Sequence, residues 1–280
     1  KFFYDFKNIN KINSLKPKII FYSENKSYQK YGYNLIEYLS KKFPGKVYYI
    51  SSDIDDKIND LDIINVHIGG NFLLQYFFTS LRTDNLFMTL TDLNNSIIKK
   101  NNYVKNYIYY FHGAVSTTKV FTEKAFDNYD TILCNGNYHF DEIRQREQLE
   151  NLKKKKLIKS GFLYFDYLND KKKNFLKKSD EILVAPSWDR NKKNFINEDF
   201  ENIIKNLLKL NYKVRFRPHP ETIKRFPEIK DIYKNICVSK NFIFDDGPDN
   251  LSAMNDSKCL ITDNSGISIE FLLVFKKPII

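Results

Sequence analysis

Short apolar runs alternate along this chain with longer stretches whose apolar positions recur at helical spacing. Residues 18–23 (KIIFYS) predict a first strand, followed by a polar loop and a helix with Tyr31, Leu35, Tyr38 and Leu39 on its apolar face, ended by Pro44 and Gly45. Further strands are predicted at 47–50, 63–68, 86–90, 107–111, 131–134 and 157–161, with helices over 72–81 and 138–152. Beyond a Lys- and Asp-rich stretch the alternation resumes. Strands are predicted at 182–185, 213–216, 236–238 and 242–244, with helices over 199–210, through Tyr233 and near 248–254. This alternation marks parallel sheets with helices on both faces, whose ligands bind beyond the carboxyl ends of the strands. The expected fold class is α/β. A Rossmann-like domain is expected over 1–168, a linker at 169–180 and a second Rossmann-like domain over 181–280, the two parallel sheets facing a cleft.

The last stretch, 258–280 (KCLITDNSGISIEFLLVFKKPII), concentrates the candidate chemistry of the second domain. Leu260 and Ile261 read as strand, Thr262, Asp263, Asn264, Ser265 and Gly266 as a polar turn, and Ile267, Phe271 and Val274 as the apolar stripe of a helix. A helix starting near Ser265 offers unpaired N–H groups and the positive end of its dipole, which suit a phosphate. An ordinary capped helix is the competing reading, because Ser and Asn are favoured caps everywhere. Lys277 to Ile280 read as the opening of another strand, so the second domain is expected to be truncated.

Three more loops fall at predicted strand ends. Arg217, Pro218, His219 and Pro220 form a loop rigidified by its prolines, in which Arg217 offers a planar fork to phosphate oxygens and His219 a further donor. Ser187 and Trp188 follow the 182–185 strand; Trp188 would stack on a base or plug the domain edge. His112 and Gly113 follow the 107–111 strand in the first domain, where an imidazole suits proton removal from an attacking alcohol. His67 and His139 have no polar partner nearby in sequence and are read as structural. Asp245 and Asp246 are read as solvated loop acids.

Composition narrows the class. The chain has 280 residues, 42% hydrophobic and 28% charged, and no apolar run approaches the ~18 residues of a membrane span. A net charge of +11 implies an anionic partner, and charge alone leaves nucleic acid, an acidic membrane surface and a phosphorylated substrate open. The lysines fall in short clusters without a basic recognition motif, which argues against nucleic acid. Cys134, Cys237 and Cys259 lack C-x-x-C spacing and read as buried, reduced thiols, which with no leader-like start places the chain in the cytoplasm. No spacing of ligands implies a metal, and no cofactor is required. The P-loop, the G-x-G-x-x-G fingerprint and the G-x-S-x-G elbow are all absent, so phosphate binding without NTP hydrolysis remains.

Five ordered motifs carry a resemblance. They are FHG at 111–113, GFLYFD at 161–166 (Leu163 where a proline is usual), ILVAPSWDRN at 182–191, RFRPHP at 215–220 and LITDNSG at 260–266. In order and spacing the chain resembles the CDP-glycerol glycerophosphotransferases that build teichoic acids and capsular polymers. FYSENKSY at 21–28 and AFDNYDTILCNG at 125–136 are closer to a divergent branch.

The resemblance implies a GT-B architecture, with the acceptor on the first domain and a CDP-linked donor on the second. Peripheral work at the inner face of an anionic membrane, on a lipid-linked or glycan acceptor, is implied as well. His112 with Gly113 would be catalytic. Ser187, Trp188, Arg217, His219 and the turn from Thr262 through Asp263, Asn264, Ser265 and Gly266 to Ser268 would hold the nucleotide and its phosphates. Asn264 and Gly266 stand where the family has Tyr and a second Ser, leaving Ser268 to supply the missing hydroxyl. That departure keeps a nucleotide-sugar glycosyltransferase as the alternative function, and the charge keeps a non-catalytic anion-binding protein as a third.

Overall fold

The computed structural model describes residues 2–91, 93–94, 98–172, 180–188, 198–247, 249–263 and 265–280. The chain divides into two compact units, Lys1–Tyr167 and Leu168–Ile280. The first contains α1 (Phe2–Leu15), β1 (Ile19–Ser23), α2 (Lys26–Lys42), β2 (Val47–Ser51), β3 (Ile64–His67), α3 (Phe72–Ser80), β4 (Thr83–Met88), β5 (Val104–Tyr110), β6 (Thr131–Cys134), α4 (Asn137–Leu149) and β7 (Lys156–Lys159). Its seven strands are all parallel, in the order β3-β2-β1-β4-β5-β6-β7. The order reverses between β1 and β4, which is the switch point where open α/β sheets leave a crevice.

Central strands are apolar on both faces because helices cover both: all four residues of β6 are buried, and Phe21, Val47, Tyr49, Ile108 and Tyr110 join one core cluster with Ile36 of α2. The edge strand β7 is mostly exposed and carries Lys156 and Lys159, charges that discourage further pairing. The buried line of α2 is Gly32, Ile36 and Ser40, while Tyr38 is exposed, so the true packing face lies about one residue round from the one its large side chains predict. Gly32 is the reason. A Cβ there would meet the buried Tyr110 ring at 2.9–3.1 Å, so the helix packs closely only along its smallest residue.

The helix α5 (Leu163–Lys172) runs across the boundary between the units. The expected linker at 169–180 is therefore helical over 169–172: its Asp and Lys residues compose a helix end with Lys171 and Lys172 in the last turn. Residues 173–179 lie outside the described residues.

The second unit repeats the plan with β8 (Glu181–Val184), α6 (Glu198–Lys209), β9 (Lys213–Phe216), α7 (Pro220–Arg225), α8 (Ile229–Ile236), β10 (Phe242–Phe244), α9 (Leu251–Asp256), β11 (Ser257–Ile261), α10 (Ile267–Glu270) and a π-helical turn at Phe271–Phe275. The parallel order is β10-β9-β8-β11, with its switch point between β8 and β11. The strand predicted at 236–238 is not formed. Ile229, Tyr233 and Cys237 are each buried at four-residue spacing, so the helical stripe of α8 carries through to its cap at Cys237, and Val238 is exposed. After the π turn, Leu260 of β11 bridges Ile279 in parallel, and the Ile280 carbonyl accepts from the Thr262 N–H, so the residues 277–280 do open a further strand.

Candidate active site

In the first unit the loops after β1 and β5 build a histidine site. Asn25 caps α2 by accepting from the Ser27 N–H at 2.9 Å, and the first turns of α2 then carry Tyr28 and Tyr31. These rings meet the imidazole of His112 edge-on at 5.5 and 6.1 Å, and Phe121 closes a third side at 5.8 Å. His112 is thus half-buried among three aromatic rings, a setting that fixes its orientation and limits water around it. Gly113 is held from behind, its carbonyl accepting from Asn135 Nδ2 at 3.1 Å.

His139 supports this loop without taking part in it. Its Nδ1 accepts from the Asn135 N–H at 3.2 Å and its Nε2 donates to the Val115 carbonyl at 2.9 Å, while the ring lies 3.9 Å from Phe111. Burial pushes its pKa down, against the opposing pull of the Val115 carbonyl and Glu142, so the neutral form is the native one. His67 has long-range partners that the sequence hides: Asp5 Oδ1 lies 2.8 Å from Nδ1 and the Ser52 carbonyl 3.2 Å from Nε2.

In the second unit the switch point between β8 and β11 is bridged by a pair of hydrogen bonds. The Ser187 N–H and Oγ both donate to the Asp263 carboxylate, at 2.7 Å each, and Thr262 Oγ1 donates to the Ala185 carbonyl at 2.6 Å. Ser187, Thr262 and Asp263 therefore position the two loops against each other. Trp188 packs against the cluster of Ile182, Val214 and Phe216, with the Arg225 guanidinium over its ring at 5.0 Å. The ring is thereby part core and part cation platform.

Arg217 has partners within its own unit that the sequence does not show. Its Nη1 donates to Asp245 Oδ1 at 2.7 Å and its Nη2 to the Gly247 carbonyl at 2.8 Å, and the residue is buried. Two donors of the fork that a sequence reading offers to phosphate brace the loop after β10. Asp245 is correspondingly not a solvated acid: Arg215 approaches its other oxygen at 3.4 Å. Lys230 pairs with Asp246 and holds its carboxyl below the usual range.

His219 caps α7 through Nδ1, which accepts from the Glu221 N–H at 3.1 Å; the proton of the neutral ring then sits on Nε2, in an exposed position suited to donation. In the last turn, Ser268 spends its hydroxyl proton on the Ser265 carbonyl at 2.7 Å and donates its N–H to the same oxygen at 3.1 Å, while Gly266 caps α10. Asn264 lies outside the described residues. Among the described residues, no group of three His, Cys, Asp or Glu side chains could hold a metal ion.

Sequence reasoning missed the aromatic walls of His112 because Tyr28 and Tyr31 are far from it in the chain and Phe121, though near in sequence, is brought against it only by the course of the loop; the FYSENKSY segment was the available signal for the first. It missed Asp245 and Gly247 for the same reason.

No curated protein matches this sequence. By fold the chain is similar to the wall teichoic acid polymerase TagF, at 18% identity and a TM-score of 0.60, covering 99% of this chain and 76% of that one. It is also similar to the UDP-GlcNAc 2-epimerase from Methanocaldococcus jannaschii, at 14% identity and TM-score 0.58 over 94% of this chain and 82% of that one. A putative UDP-N-acetylglucosamine 2-epimerase from Listeria monocytogenes matches at 12% identity and TM-score 0.64, over 94% and 78%. These likenesses establish a GT-B-type fold. A family model described as CDP-glycerol:poly(glycerophosphate) glycerophosphotransferase matches residues 84–280. Because that match runs from β4 to the end of the chain and takes in both histidine loops, the chain belongs to the CDP-glycerol:poly(glycerophosphate) glycerophosphotransferase family and is a transferase of that type.

Proposed function

We propose that His112 is the general base of this transferase and that the loops of the second unit hold a CDP-activated glycerol phosphate. The observation that carries the reading is an imidazole at the end of β5, walled by Tyr28, Tyr31 and Phe121, inside the segment that matches the family. His112 takes the proton of an acceptor hydroxyl as its oxygen attacks the distal phosphorus of the donor. A new P–O bond forms to the acceptor, the diphosphate P–O bond breaks, and CMP departs with the electron pair. His219 Nε2–H and the N–H groups near Ser265 stabilise that departing charge, while Arg217, Asp263 and Ser187 keep the loops in place. In keeping with this donor, a variant of the similar TagF polymerase was studied after a CDPG soak.

The acceptor is a cell-wall polymer or its lipid-linked precursor, met at an anionic membrane surface. Supporting this, α1 exposes Phe2, Phe3 and Tyr4 beside Lys7 and Lys11, while its acid, Asp5, is buried against His67. Among the described residues no helix is long and apolar enough to cross a membrane. The alternative, a glycosyltransferase using a nucleotide-sugar, is favoured by one detail: Gly266 offers no hydroxyl, and the Ser268 hydroxyl is turned to the Ser265 carbonyl.

Donor-dependent release of CMP separates the two readings. CMP should appear from CDP-glycerol with a poly(glycerophosphate) acceptor and not from UDP-sugars. Turnover of a UDP-sugar with no CMP from CDP-glycerol would exclude the proposal.

A further inference from the structure

The loop that carries Phe121 to His112 is tied down by the strand end and helix that follow it. Residues 113–121 leave the end of β5 and run along the start of α4. Asn135, just after β6, donates to the Gly113 carbonyl at 3.1 Å, and His139 in the first turn of α4 donates to the Val115 carbonyl at 2.9 Å. Glu142 stands three residues on from His139, on the same face of α4.

Glu142 makes the most concentrated of these contacts. Its Oε1 accepts from Ser116 Oγ at 2.7 Å, and its Oε2 accepts from the Thr117 N–H at 2.6 Å and from Thr117 Oγ1 at 2.5 Å. By taking the Ser116 hydroxyl proton, the carboxylate leaves the lone pairs of that oxygen facing the Thr118 and Lys119 N–H groups, each at 3.3 Å. The turn is thus built around one side chain. Burial pushes the Glu142 carboxyl up, but the Thr117 and Ser116 hydroxyls and the Thr117 N–H outweigh it and hold it below the usual range. Thr118, Lys119 and Val120 are exposed, and the chain then turns inward at Phe121. That ring meets Phe126 at 5.1 Å, His112 at 5.8 Å and Phe111 at 6.1 Å.

We propose that Glu142 is a positioning residue for His112: its carboxylate sets the course of the 113–121 loop, and the loop places Phe121 against the imidazole. Apolar ring contacts are non-directional and would let the loop slide, whereas three charge-assisted hydrogen bonds to one carboxylate fix its path. Four residues separate Thr117 from Phe121, so a shift at the anchor is passed to the ring over a short stretch of chain. Resting on the general-base role proposed above, the consequence falls on turnover: an imidazole that has lost one wall spends less time aligned with the acceptor hydroxyl. Donor binding belongs to the second unit and is left alone.

The test is carbethoxylation of the intact chain by diethyl pyrocarbonate, read histidine by histidine through peptide mapping, alongside kcat and KM for CMP release. In Glu142→Leu, His112 should label severalfold faster while the exposed His219 labels at its wild-type rate. Misplacement of a catalytic group on this scale costs roughly 10–100-fold, so kcat should fall by that much with KM for CDP-glycerol little changed. Glu142→Gln keeps an acceptor oxygen for Thr117 and should recover most of both readouts. Should Glu142→Leu fail to fold, Ser116→Ala removes the centre of the turn and should shift both readouts the same way. Wild-type labelling of His112 in a folded Glu142→Leu or Ser116→Ala overturns the proposal. Labelling is read without turnover, so faster labelling with unchanged kcat sustains the clamp and counts against the general-base role of His112; the two failures are distinguishable.

Discussion

Arg217→Met removes a guanidinium that binds Asp245 and the Gly247 carbonyl and touches nothing known to be substrate. Arg217 is 7% exposed and the Asp245 side chain 10%, so the variant leaves a carboxylate without its main counter-charge in a poorly hydrated place. Breaking a fully buried pair in this way costs ~3–5 kcal/mol. Two contacts survive and reduce that figure: Arg215 stays 3.4 Å from Asp245, and the Gly247 N–H still donates to it at 3.1 Å. The expected loss is therefore about 2–3 kcal/mol. In thermal denaturation this lowers the midpoint of the second unit by roughly 5–10 °C. Replacing both partners, Arg217→Met with Asp245→Leu, should recover part of the loss, because an apolar pair leaves no stranded charge. Paired with a donor-binding titration, the assay separates brace from ligand. A folded Arg217→Met with an unchanged midpoint and abolished donor binding would refute the reasoning and return the guanidinium to the phosphate.

Three further outcomes follow from packing and burial. Gly32→Ala gains about 1 kcal/mol of helix propensity but drives a methyl into the buried Tyr110 ring; overpacking costs ~1–3 kcal/mol, so a net loss near 1 kcal/mol is expected in urea denaturation, and a stabilised variant would contradict the packing. His139 has a lowered native pKa, so below about pH 6.5 the unfolded chain binds a proton that the native chain refuses; stability should fall as pH drops from 7 to 5.5, at up to ~1.4 kcal/mol per unit. His139→Asn should flatten that slope, and identical slopes in both proteins would contradict the assignment. Burial pushes the Cys134 thiol up to about 12 and that of Cys237 to about 11, so a thiol reagent at pH 8 should label half-buried Cys259 first and the other two only on unfolding; rapid native labelling of Cys134 would be inconsistent with its burial.

The parallel strands were legible because a strand covered on both faces reads as an apolar run, as at 131–134, and one covered on a single face alternates, as Lys213, Val214, Arg215 and Phe216 do; both strands, and 242–244, were placed to the residue. Helices that mix polar residues into their buried face were not. In α1 the buried line is Asp5, Ile9 and Ile12, and a pattern search discards the aspartate whose partner, His67, comes 62 residues later. The short α7 is masked by the prolines of its own loop, although Pro220 at its first turn is a favoured start. At 236–238 a β-branched neighbourhood outweighed the spacing of Ile229, Tyr233 and Cys237, and the spacing was the better guide.

The candidate site divides along the same line. Residue types and loop positions named His112 and His219, since both follow strands directly. What a side chain is already bound to is set by tertiary contacts, so the commitment of Arg217 to Asp245, of Ser187 to Asp263 and of Ser268 to Ser265 could not be read from local pattern. In the mechanism proposed above, Arg217 and Asp263 shape the loops of the second unit, and His219 and the N–H groups near Ser265 act directly on the phosphate.

The most direct test of the account is the turnover of His112→Ala with CDP-glycerol and a poly(glycerophosphate) acceptor, scored as CMP released, alongside a thermal-shift titration with the donor. Loss of a general base costs roughly 10²–10⁴ in rate, so the variant should lose that much kcat while keeping a native melting profile and its donor-induced shift. A folded His112→Ala that releases CMP within a few-fold of the wild-type rate would contradict the central claim.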